Sequence, residues 1–173
     1  MKLGTQKYKK GDITMIKRSE KLAFMEVSDG EEKVFKRMTG FTEFSLSKNP
    51  KEYSRKYIDE DMERSEVVGY SPAISYKFDA DSDNSVHQYL TNVADRELLG
   101  EAAECNIIVA NLSSLEANGG AKAIMRKFSV IPQNEGDDKD TYTVSGSFKA
   151  AGTKIFGTAT TTDGWQTVTF VAE

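Results

Sequence analysis

The closing stretch Thr141–Glu173, TYTVSGSFKAAGTKIFGTATTTDGWQTVTFVAE, decides the fold class. Threonine and valine dominate it, and β-branched residues favour a pleated, half-buried backbone. Tyr142, Val144 and Phe148 share one parity and so one face of a strand. Ala151-Gly152 and Asp163-Gly164 punctuate three strands of similar length.

Working back toward the N-terminus, the same grammar recurs. Ala121 to Ile131 and Glu104 to Leu112 are strands separated by the loop SSLEANGG, and the acidic run PQNEGDDKD makes a second loop. PAISYKFDA alternates, with Ile74, Tyr76 and Phe78 on one face. Phe41 to Leu46, with Phe44 and Leu46 of one parity, and Val34 to Met38 precede it. In LAFMEVSDG, Leu22, Phe24 and Glu26 alternate with Ala23, Met25 and Val27, so both faces are partly apolar, and Asp29-Gly30 marks a turn. The period changes once. Val86, Tyr89, Leu90, Val93 and Glu97 step by three and four, which predicts an amphipathic helix over about 84–99, capped by Asp83, Asn84 or Ser85 and ended by Gly100. The chain therefore reads as mainly β, a sandwich or barrel with one flanking helix after about the fifth strand. The predicted core is Phe44, Ile74, Tyr76, Phe78, Val144 and Phe148, with Tyr89, Leu90 and Val93 from the helix.

At 173 residues, with 38% hydrophobic and 29% charged, the chain suits one domain with a real core. No apolar run approaches a membrane span, and no signal peptide is expected. The net charge of −4 is uneven: residues 1–22 carry seven Lys/Arg against two acids, +5, leaving −9 for the rest. A basic arm over 1–20, including Lys9 and Lys10, is either a solvated terminus or an element that docks on the acidic body of another copy. The acidic body argues against a nucleic-acid reader.

Catalytic constellations are missing from the sequence. The one histidine, His87, falls toward the polar side of the helix and reads as solvated. Cys105, inside ECNIIVANL, reads as a small buried apolar residue rather than a nucleophile. Asp79, Asp81 and Asp83 resemble a calcium loop, but its sixth and twelfth positions hold Asn84 and Leu90, so a charged helix-capping connection is expected instead. No enzyme activity, cofactor or metal is expected.

KNPKEYSRKYIDEDMERSEVVGYSP, Lys48 to Pro72, is the stretch that fits neither core nor linker. Lys48 to Arg64 holds five basic and five acidic residues. Asn49-Pro50 could start a helix, but the apolar stripe lapses after Ile58. The favoured reading is an extended hairpin with Tyr53, Arg55 and Tyr57 on one face and Asp59-Glu60-Asp61 at its tip. Spaced aromatics with balanced charge suit a surface that meets protein.

Asn49–Leu90, NPKEYSRKYIDEDMERSEVVGYSPAISYKFDADSDNSVHQYL, together with GSFKAAGTKIFGTATTTDGWQTVTF, resembles the major tail (tail tube) proteins of tailed bacteriophages, particularly those infecting Gram-positive bacteria. The likeness runs from about Phe41 to the end. It implies a β-sandwich or barrel with a flanking helix, and six copies in a ring. It implies rings stacked into a tube that passes the genome without binding it specifically, in a virion assembled in the bacterial cytoplasm. Tape-measure and terminator proteins would be partners. In that family a long excursion reaches the adjacent ring, and 48–70 occupies its place, so Tyr53, Arg55, Tyr57, Lys9 and Lys10 become candidate inter-subunit contacts. The tube of a contractile tail or tailocin-like machine is an alternative. So is a monomeric β-sandwich binding module displaying Trp165.

Overall fold

A computed structural model describes residues 8–10 and 13–173, with the backbone alone at 8–10, 13, 14 and 29. Thirteen strands run in chain order among the described residues: β1 (Tyr8–Lys10), β2 (Ile13–Met15), β3 (Lys21–Asp29), β4 (Glu32–Arg37), β5 (Phe41–Ser47), β6 (Pro50–Arg55) and β7 (Arg64–Tyr70), then β8 (Ala73–Asp79), β9 (Glu104–Leu115), β10 (Ala121–Glu135), β11 (Thr143–Ala150), β12 (Ile155–Thr160) and β13 (Thr167–Ala172). The helix α1 (Ser85–Asp95) lies between β8 and β9. It follows the eighth strand rather than about the fifth, because β1 and β2 of the arm precede the strands read from the sequence.

Nine strands form one antiparallel sheet in the order β12-β13-β4-β3-β9-β10-β11-β8-β5, and β12 also pairs with β10. That extra pairing closes six strands into a barrel. The 15-residue β10 makes it possible: Ala121 to Met125 pair with β12, while Phe128 to Glu135 pair with β11. The barrel interior is filled by Phe24, Ile108 and Val168 with Ala110, Ala121, Ala123 and Ala159. Small side chains let the walls of a narrow barrel approach. Gly157 is needed for the same reason, since a Cβ there would sit 2.2 Å from the Val171 carbonyl oxygen.

The outer faces of β3, β9 and β10 supply a second core. Met25, Val27, Cys105, Ile107, Phe128 and Val130 pack there with Ile74, Tyr76, Phe78, Val144 and Phe148 from the β11-β8 wing, under Val86, Leu90 and Val93 of α1. This is why β3 is apolar on both parities: Phe24 faces the barrel while Met25 and Val27 face the helix side. Phe44 and Tyr89 are partly buried against this core, as is Phe41.

Several elements depart from the sequence reading. Tyr142 precedes β11 and is exposed, its hydroxyl donating to Glu135 at 3.0 Å, so parity with Val144 misplaces it. Leu46 is exposed on β5, the free edge of the wing. Strand β10 runs four residues beyond Ile131, because a bulge at Pro132/Asn134 lets it continue where its β9 side is already unpaired. The helix stops at Asp95, a turn short of the expected end. Its N-cap is Asn84, whose Oδ1 accepts from the Val86 and His87 amides. At its C-terminus Leu98 N–H donates to Val93 O and Glu97 N–H to Ala94 O, both at 3.1 Å, a Schellman ending. The left-handed residue that ends the helix is Glu97, at φ 49°, while Gly100, left-handed as well at φ 60°, lies beyond that ending. A glycine would adopt that conformation without the Cβ penalty. Glu97→Gly is expected to raise subunit stability by about 0.5–1 kcal/mol in urea denaturation.

Candidate assembly surface

The excursion is a hairpin, as the extended reading has it. Among the described residues β6 and β7 pair only with each other, from Pro50↔Tyr70 to Arg55↔Arg64, with a bulge opposite Lys51/Glu52 that inserts Val68. The base is pinned by Asn49, at φ 44°. Its carbonyl accepts from Ser71 N–H, and its side-chain amide donates to Ser71 O, both at 3.1 Å. Asparagine tolerates this left-handed backbone better than other side chains do. Midway, the Ser54 and Ser65 hydroxyls meet across the strands at 3.0 Å. At the tip Arg64 holds Glu60 in an ion pair.

The three side chains assigned to one face come together. The Arg55 guanidinium lies 5.4 Å from the Tyr53 ring centre and 5.8 Å from that of Tyr57. Such contacts at exposed sites are worth about 0.5–1 kcal/mol each. They order the cluster without hiding it: Tyr53 and Tyr57 remain 47% exposed. Around them Ile58, Met62, Val67, Val68 and Tyr70 are exposed as well. Sequence reasoning marked the tyrosines but gave Ile58 and Met62 no contact role. An apolar residue between acids at a loop tip was the available signal. An isolated two-stranded ribbon is marginal in water, so a hairpin this apolar gains from a partner surface.

The arm is less completely described. β1 pairs with β2 from Tyr8↔Met15 to Lys10↔Ile13. Lys9 and Lys10 lie on β1, but their side chains fall outside the described residues, as do residues 1–7 and 11–12. From Met15 onward the arm leads to Arg18, whose guanidinium donates to Lys21 O at 2.7 Å and Phe44 O at 3.4 Å and sits 5.9 Å from the Phe44 ring centre. Beside it opens a cleft of about 570 Å³ at the Phe41 end of β5. Arg18, Lys21 and Arg37 line it, with Met38, Phe41 and Phe44, and no carboxylate does among the described residues. The sequence spreads those three cations over two strands and a turn, so only the fold assembles them.

His87 overturns its reading as a solvated group. It is 1% exposed, stacked on Phe78 with ring centres 4.2 Å apart and edge-on to Phe41 at 5.3 Å. Nδ1 accepts from Asp81 N–H at 3.2 Å, so Nε2–H donates to Thr39 O at 2.8 Å. Gly40, at φ 73°, makes room: a Cβ there would lie 3.0 Å from His87 Cε1. A helical wheel sees only the helix, and here the Thr39-Gly40 turn lies over its polar side. Asp79 and Asp81 belong to the same joint, Asp79 accepting from the Thr141 hydroxyl and Asp81 from Asp83 N–H, as a helix-capping connection should. Burial holds the imidazole below its ordinary pKa, against the hydrogen bond to Thr39 and the charges of Asp81 and Asp79. The stabilisation from a neutral ring is therefore complete above about pH 6.5 and drains away as pH falls from there toward the folded value. The melting temperature is expected to drop between pH 7.5 and 5.5, and His87→Gln, though less stable throughout, to flatten that slope.

Cys105 is buried as expected, and burial pushes its thiol up to about 12. Trp165 is half-buried, 6.4 Å from the Phe24 ring at the barrel mouth, rather than displayed as a platform. The Asp163 carboxylate organises its turn by accepting from the Gln166 and Thr167 amides and the Thr161 and Thr167 hydroxyls. Those donors hold its pKa well below the usual range.

No protein-family model matches the chain, and no curated protein matches it. Among solved structures, it is similar to a chain of the anti-feeding prophage (AFP) baseplate, determined by cryo-EM with six-fold symmetry imposed. The TM-score is 0.47 at 7% identity, over 86% of this chain and 97% of that one.

Proposed function

We propose that this chain is a structural subunit of a phage-tail-type assembly, and specifically that copies of it close into hexameric rings which stack into a tail tube. The observation that carries the reading is the β6–β7 hairpin. It is an ordered ribbon joining β5 and β8 of the wing, with Tyr53, Arg55 and Tyr57 clustered together and Ile58, Met62, Val67, Val68 and Tyr70 exposed, and no further strand pairs with it among the described residues. The sequence resemblance supports the same role, and it alone suggests a Gram-positive host. A head-to-tail contact closes into a ring if its rotation closes and otherwise runs on as a filament. An acidic body of net −9 beyond residue 22 suits a bore along which DNA slides, since carboxylates repel phosphates. Tape-measure and terminator proteins would complete the tail in the virion, and no catalytic role is part of the proposal.

The tube of a contractile machine would be built alike, and a sheath partner would separate it. The monomeric binding module loses its main support, because Trp165 is engaged by the barrel. Negative-stain microscopy of the purified chain tests the proposal. Rings or tubes are expected, whereas a chain that sediments as a monomer at its highest soluble concentration overturns it.

A further inference from the structure

We infer that the acidic tip of the hairpin, Ile58 to Glu63, seats in the cationic cleft beside β5 of a second copy of this chain; the inference rests on the assembly reading above. The cleft offers Lys21 and Arg37 with no ion pair among the described residues, over an apolar floor of Phe41 and Phe44. The tip offers the complement. Asp59, Asp61 and Glu63 have no ion pair among the described residues, and Ile58 and Met62 stand out beside them, Met62 at 78% exposed. Charges that frame an apolar plug give both register and buried area.

Other segments of the chain fit less well. The acidic loop after β10 is committed at home: Asp137 is paired with Lys77 at 3.0 Å and bonded to Thr143, while Asp138 accepts from Asp140 N–H. The basic arm would be repelled by the cleft it leads into. Nor does a chain seat its own tip in its cleft, since no tip residue lines it. Cleft and hairpin belong to opposite ends of β5, the Phe41 end and the Ser47 end, a strand of roughly 20 Å. A plug at one end and a socket at the other make a heterologous, head-to-tail contact, the kind that propagates.

Charge reversal tests it on the full chain. Lys21→Glu with Arg37→Glu reverses the socket, and Asp59→Lys with Asp61→Lys reverses the plug. Each pair alone is expected to raise the concentration of half-assembly by at least about tenfold in sedimentation velocity. All four changes in one chain should restore assembly, which a merely structural role would not do. If Arg37→Glu lowers the melting temperature, Lys21→Glu, on an exposed side chain, carries the socket test alone. If the socket reversal assembles as wild type while the change Tyr53→Ala with Tyr57→Ala still blocks assembly, the tip docks elsewhere and the inference falls while the assembly reading stands. If the reversals block but the four-fold variant is not rescued, the cleft takes another occupant and the inference is again overturned. A wild-type chain that never assembles sinks both.

Discussion

Truncating Phe148 to alanine is expected to cost the isolated subunit about 3–5 kcal/mol, the range for deleting a fully buried phenylalanine. Phe148, on β11, is 0% exposed between Val130 on β10 and Ile74 on β8. Its ring centre is 4.5 Å from that of Tyr76 and 6.5 Å from that of Phe44. Removing it opens a cavity where the barrel strand, the wing and the helix meet, and none of the three can collapse without disturbing another. The melting temperature should fall by roughly 6–20 °C. Tyr142→Ala, on an exposed side chain of the same parity, should stay within about 0.5 kcal/mol. Equal effects from the two would mean that the wing packs differently.

The second large effect is on assembly rather than on folding. Tyr53→Ala with Tyr57→Ala removes the two rings that flank Arg55, and tyrosine and arginine anchors are each worth about 1–4 kcal/mol when truncated at an interface. In a stacked ring the loss recurs at every subunit, so the double variant is expected to yield monomers or single rings where the wild type gives tubes. The monomer should melt nearly as before, because both rings are half-exposed and pack on no core residue. Unfolding of the monomer would contradict that exposure. Normal tubes would relegate the hairpin to a solvated flap.

The sequence spoke most clearly where one neighbour decides a residue's environment. The alternation of Ile74, Tyr76 and Phe78, the doubly apolar β3 and the stripe of α1 all followed from period alone, because each face meets a continuous wall. The extended hairpin was legible for a different reason: the stripe that a helix would need stops at Ile58. What escaped depends on a third element crossing. His87 is covered by a turn 48 positions away, and Trp165 is drawn in by the barrel mouth. The cleft needs Arg18 to bend across the carbonyls of Lys21 and Phe44. The length of α1 was missed because Glu97 takes a conformation usually left to glycine.

The closure of β12 onto β10 has a consequence for the order of biogenesis. β4 finds its second neighbour only in β13, and β10 meets β12 only near the C-terminus, so the barrel stays an open sheet until the last strands leave the ribosome. The hairpin, by contrast, is a local ribbon complete by Tyr70. Pairings so distant in sequence form slowly, and open edges awaiting them are prone to wrong partners. A nascent chain therefore presents its sticky ribbon before its scaffold is sealed. In crowded polysomes that timing would favour premature tangling between neighbours.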